Sequence, residues 1–118
     1  MTELIICLST GQGTWGHVGK IVQDKQWSKI FLITNTFGKE KFSKPENAEF
    51  IVVNTNQDSE SLKQEIYLAL KGKVKGPEVG INMVSGSGNE HMALISSILK
   101  LGVGLRLVVN TKEGTKEL

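Results

Sequence analysis

LIICLSTGQGTWGHVGKIV, Leu4 to Val22, joins an apolar run to a glycine-rich corner and then to a segment with helical periodicity. Leu4 to Leu8 is short, contains two isoleucines and ends in Ser-Thr-Gly, the pattern of a buried strand entering a turn. From Trp15 to Gln23, Trp15, Val18 and Val22 recur at i, i+3 and i+7, one apolar stripe of a helix. Between them, four glycines fall within the nine residues Gly11 to Gly19. A strand, a glycine corner and a helix in this order form the first half of a β-α-β unit, and the corner offers free backbone N–H groups at a helix start.

The rest of the chain repeats the arrangement. Ile30–Thr34, Phe50–Asn54, Val79–Val84 and Leu105–Val109 are apolar runs of about the same length, with little of the alternation of a sheet that has one wet face. Two more helices fit between them. In DSESLKQEIYLALKG, Leu62, Ile66, Ala69 and Leu70 share a face, and Asp58 or Ser59 can cap the start. In SGSGNEHMALISSILKLG, Ser87 and Glu90 have capping-box spacing and Gly102 is a natural stop. The stretch 36–49 has no firm period, fitting a short helix or an open loop, and the polar end from about 110 reads as a frayed tail or the start of a linker. The order predicts an α/β fold: a three-layer, Rossmann-like, mostly parallel sheet of about five strands flanked by helices, with right-handed crossovers.

Composition narrows the function classes. A chain of 118 residues is the size of one domain, so 1–118 is read as a single unit. A formal charge of +2 is too small to argue for duplex nucleic acid. No apolar run approaches the ~20 residues of a membrane helix, and no secretory signal pattern is present, so a cytoplasmic protein with no membrane partner is expected. The single cysteine, Cys7, excludes an internal disulfide and reads as a small buried hydrophobe. The histidines lack ligand partners at i, i+4, so no metal site is expected.

Two corners carry the chemistry. Ser9, Thr10, Gly11, Gln12, Gly13, Thr14 and Trp15 follow the first strand; Ser85, Gly86, Ser87, Gly88 and Asn89 follow the fourth. In an open parallel sheet both lie at the carboxyl edge, where ligands bind, and both run into helices whose N-termini favour an anion. Gly11, Gly13 and Gly16 match G-x-G-x-x-G, which raises NAD or a mononucleotide. Against a dinucleotide, the second strand ends in Thr34-Asn35-Thr36, where a ribose-binding carboxylate belongs. A P-loop fails on spacing and on Ile21 in place of the magnesium-binding hydroxyl.

With both corners in place, LSTGQGTWG and NMVSGSGNEHMALISSILKLG, the chain resembles the CRISPR-associated Rossmann fold (CARF) domain family over nearly its whole length. The resemblance implies a homodimer that binds a cyclic oligoadenylate, a ring of 3'-5' linked AMP units, across its two-fold axis in antiviral signalling, without a further cofactor. Relatives pass the signal to a fused effector or, as ring nucleases, cleave the ring. Relatives often carry a lysine just after the Gly/Ser/Thr portion of the second motif, where this chain reads Asn89, Glu90 and His91. The chain also ends after its fifth predicted strand, so a stand-alone sensor, a stand-alone ring nuclease or an excised piece of a longer protein is expected.

On this reading Ser9, Thr10, Thr14, Ser85 and Ser87 donate to phosphate oxygens or ribose hydroxyls, glycine N–H groups cradle the ring, and Asn35, Gln12 and Asn89 read adenine edges. Trp15 either stacks on a base or packs against the sheet, and Lys39, Lys41 and Lys44 form either a solvated loop or a phosphate clamp. If the ring is cut, a ribose 2'-hydroxyl attacks the adjacent phosphate without metal, with His17 and His91 as base and acid and Ser87 as a third catalytic candidate. Whether the domain is an enzyme stays open at this point: ligand binding alone, ring cleavage, and an ordinary nucleotide-binding Rossmann domain are the three alternatives.

Overall fold

The structure is a computed structural model and describes residues 2–9, 11–24 and 26–118. Six strands form one sheet: β1 (Thr2–Cys7), β2 (Trp27–Thr34), β3 (Ala48–Val52), β4 (Glu78–Asn82), β5 (Gly104–Thr111) and β6 (Gly114–Glu117), in the order β3-β2-β1-β4-β5-β6. The first five run parallel and β6 pairs antiparallel with β5. The helices are α1 (Trp15–Val22), α2 (Thr36–Lys41), α3 (Ser59–Leu70) and α4 (Gly88–Leu101), with a single 3-10 turn at Gln12–Thr14 ahead of α1. This is the mostly parallel, helix-flanked sheet that the apolar runs predict.

Strand pleating sorts the core into two layers. Leu4, Ile6 and Leu8 face α1 and pack with Val18, Ile21, Trp27, Ile30 and Leu32. Ile5 and Cys7 face the other way, with Phe31, Ile81, Leu62, Ile66, Leu94 and Ile98 of the α3/α4 layer. Burying one such aliphatic side chain is worth about 1.5–3 kcal/mol, which is why strands with no wet face hold the centre. Gly80 on β4 lets Trp27 lie against the sheet: a Cβ there would come within 2.9 Å of the indole ring. The Trp27 Nε1–H donates to the Ile21 carbonyl at 2.9 Å, tying α1 to β2.

Strand bounds differ from the apolar runs at both ends: β3 and β4 stop at Val52 and Asn82, two residues before their runs end, and at the amino ends polar residues join the ladder. Ser28 and Lys29 lie within β2, and Glu3 within β1 pairs with Lys29 and Val79. The stretch 36–49 resolves into α2, capped by the Asn35 side chain accepting from the Gly38 N–H at 3.0 Å, then an extended connection. The polar end is where the structure departs from the reading. Asn110 and Thr111 complete β5, and Gly114–Glu117 form a sixth strand instead of a frayed tail. Gly114 at φ +105° and the Thr111 hydroxyl, which donates to the Gly114 carbonyl, close the hairpin. An edge strand with wet faces has no need of an apolar run, and its Lys116 suits an unpaired edge.

Candidate functional site

The direction in which strands are added to the sheet reverses between the parallel neighbours β1 and β4. The path leaves β1 towards β2 and β3, then crosses by α3 to β4 on the opposite side of β1. The carboxyl ends of β1 and β4 therefore form the crevice in which open α/β sheets bind ligands. Both glycine corners meet there. The buried Ser85 hydroxyl oxygen accepts from the Ser9 N–H at 2.7 Å, joining the corner after β4 to the corner after β1.

A cleft of about 290 Å3 opens at this junction, lined by Ser9, Asn35, Thr55, Asn56, Gly86, Ser87 and Glu90. A second cleft of about 550 Å3 shares Asn35, Thr55 and Asn56 and extends past Phe37, Val52 and Glu65. Together they make a polar trough along the carboxyl ends of β1, β2 and β3. Its charged lining side chains are Glu65 and Glu90; neither lining includes a lysine or arginine. Lys39 stands exposed on α2 outside both linings. Any phosphate bound here therefore relies on backbone N–H groups and hydroxyls.

Several of the expected ligand-binding groups already have partners. Ser87 caps α4: its hydroxyl oxygen accepts from the Glu90 N–H at 3.2 Å, and the Glu90 carboxylate accepts from the Ser87 N–H at 2.7 Å. The Asn89 amide donates to the Gln57 carbonyl at 3.0 Å and its oxygen accepts from the Ser59 hydroxyl, which brings the loop after β3 against α4. Ser9 Oγ accepts from the Gly11 N–H. Trp15 has a packing role: its Nε1–H donates to the Ser9 carbonyl at 2.8 Å, and its ring meets Phe42 edge-on and Phe37 at a tilt. Gly11, Gln12 and Gly13 stay exposed, as do Ser87 and Gly88, so both corners keep an open surface. Thr10 lies outside the described residues.

The two histidines do not meet. His17 on α1 lies on the α1 face of the sheet, where its Nε2 accepts from the buried Asn82 amide at 3.2 Å and from the Asn110 N–H at 3.4 Å. His91 on α4 lies on the other face, its Nε2 2.9 Å from the Ser85 carbonyl, to which it donates. The sheet separates them, and each is tied to the fold. Cys7 is equally unsuited to attack: burial, with Glu90 nearby, pushes its thiol up to about 12. No group of three His, Cys, Asp or Glu suited to a metal ion occurs among the described residues. The dinucleotide alternative lacks its carboxylate, since Thr34 donates to the Leu8 carbonyl and Asn35 caps α2 at the end of β2.

The loop after β3 was not singled out by the sequence reasoning, yet Thr55 and Asn56 line both clefts. Its signal was present in NTNQDS, a run of small polar residues at the carboxyl end of a buried strand. A cleft of about 570 Å3 also opens at the opposite, amino edge, but its charges are spent. Glu49 pairs with Lys73, whose hydrogen bond chiefly holds its carboxyl below the usual range, and with Lys29, and the Glu3 carboxylate accepts from the Lys75 and Gly76 N–H groups. That edge is a brace, and the carboxyl edge is the stronger candidate.

No protein-family model matches this chain, and no curated protein matches it at a significant level.

Proposed function

We propose that this domain binds a cyclic oligoadenylate at the carboxyl edge of its sheet, two copies sharing one ring across a two-fold axis, as a sensor or sink for that messenger in CRISPR-linked antiviral signalling. The observation that carries the reading is the polar trough at the β1/β4 reversal, where the two glycine corners are joined through Ser85 and Ser9. On this reading the hydroxyl and amide groups of Ser9, Asn35, Asn56 and Ser87, which line the trough, meet ribose and adenine edges, and the backbone N–H of the exposed Gly13 meets phosphate. Binding is favoured over cleavage by the placement of His17 and His91 on opposite faces of the sheet and by the engagement of Ser87 in the α4 cap.

Calorimetry with cyclic tetra- and hexa-adenylate in metal-free buffer, followed by mass spectrometry of the recovered ligand, tests the proposal. Saturable binding with the ring intact is the expected result. Linear products ending in a 2',3'-cyclic phosphate would establish the ring-nuclease alternative instead, and no binding of either ring would remove the proposal.

A further inference from the structure

The larger cleft at the carboxyl edge, about 550 Å3, differs in chemistry from the glycine corners beside it. A cleft of this size takes a ligand of nucleoside size, and such sites pair an apolar surface with a few polar groups. The apolar surface here comes from Phe37 and Val52, 38% and 41% exposed. Phe37 lies in the first turn of α2, and its ring is backed by Trp15 at a centroid distance of 6.1 Å. The one charged side chain of the lining is Glu65.

Glu65 sits on the flank of α3 turned to the loop after β3. Its Oε1 accepts from the Asn54 N–H at 3.3 Å and from the Gln57 side-chain amide. Its Oε2 has no hydrogen-bond or ion-pair partner among the described residues. No lysine neutralises it from its own helix: the residues one turn away, Ser61, Leu62, Leu68 and Ala69, are uncharged. Lys63 stands about 200° round the helix, with Tyr67 and Lys100 on the side of α4. A carboxylate oxygen only accepts, so the group it lacks is a donor, and its charge repels phosphate.

We infer that Glu65 is the specificity-determining residue for the base: its Oε2 accepts from the exocyclic 6-amino group of an adenine whose ring lies on Phe37. The chemistry selects among bases. Adenine presents a single amine, whereas hypoxanthine and uracil present a carbonyl oxygen that a carboxylate repels. Guanine offers an N1–H and 2-amino pair, which calls for both carboxylate oxygens, and Oε1 is already held by the loop. Stacking on Phe37 serves any base, so the amine contact is what discriminates. Glu65 in this role rests on the trough being a cyclic oligoadenylate site, and it adds the reason for adenylate.

The experiment is calorimetry in metal-free buffer with two probes, cyclic tetra-adenylate and cyclic tetra-inosinate, the same ring with each 6-amino group replaced by oxygen. Both are titrated into the wild-type chain and Glu65→Gln. Wild type should bind the adenylate ring at least ~10-fold more tightly, the scale of one hydrogen bond to a charged group. Glu65→Gln keeps an oxygen for the Asn54 and Gln57 donors and puts an amide donor where Oε2 was, so the preference should vanish or reverse. A bracing role of Glu65 alone would shift both rings by the same factor. Circular dichroism checks that the variant folds, and the wild-type comparison stands without it. Equal wild-type affinity for the two rings, or a preference that folded Glu65→Gln retains, overturns the role of Glu65 and leaves ring binding standing. No binding of either ring removes both.

Discussion

Gly86 and Gly88 stand two residues apart in the corner after β4, and the structure predicts opposite responses to alanine. Gly86 has φ +107°, and a Cβ there would lie 3.0 Å from the Glu90 carboxylate, 3.1 Å from His91 Nε2 and 3.4 Å from the Cys7 Cβ. Holding an L residue in that backbone region costs about 1–3 kcal/mol. Pushing Glu90 out of its bond to the Ser87 N–H removes part of the α4 cap, worth about 0.5–1 kcal/mol more. Gly86→Ala should therefore lose about 1.5–4 kcal/mol, or roughly 6–16 °C of Tm for a domain of this size. At Gly88, the first residue of α4, a Cβ would meet nothing within 4 Å. Gly88→Ala should leave Tm unchanged or raise it by at most about 4 °C, from the lower chain entropy of the unfolded state. Scanning calorimetry and urea unfolding of both variants decide the matter. Equal stabilities within about 0.5 kcal/mol would refute the argument, because the difference comes from backbone conformation and cap geometry alone.

Three further outcomes follow from the same geometry. Ser87→Ala should cost about 1 kcal/mol in urea unfolding and Ser87→Asp should restore most of it, because the residue caps α4 through an acceptor oxygen. Gly80→Ala should cost about 1–3 kcal/mol and shift the tryptophan emission, because the added Cβ meets the Trp27 ring at 2.9 Å. Cys7 should resist alkylation at pH 8 until the chain unfolds; its thiol is raised from 9.0 to about 12 by burial. Since the unfolded thiol ionises first, this contribution to stability is complete below pH 9 and is lost as pH climbs from 9 towards 12, which unfolding midpoints across that window measure.

What the sequence made legible follows the strength of its physical signals. The buried strands declared themselves through uninterrupted apolar runs, and α4 through Ser87, Glu90 and Gly102, whose cap and left-handed stop at φ +78° are both present. The sixth strand was illegible because GTKE has neither an apolar run nor a face to bury; it pairs with β5 through its backbone and the Arg106–Glu117 ion pair. Within the candidate site, the meeting of the two corners was legible from their common place after strands. The fate of individual side chains was not. Asn35, Ser87 and Asn89 are free donors and acceptors on paper, and each is drawn into a local cap or a loop bond that only three-dimensional neighbours reveal. His17 and His91 follow the two corners in the same way, yet pleating and the side taken by each helix put the sheet between them.

The most direct test of the central claim is where a ligand touches the chain. Titrating cyclic tetra-adenylate into the 15N-labelled protein and following amide shifts should move Ser9, Gly13, Asn35, Asn56, Gly86 and Ser87 together, leaving Lys29, Lys73 and Gly76 at the amino edge in place. Shifts confined to the amino edge, or none at all at saturating ring, would contradict it.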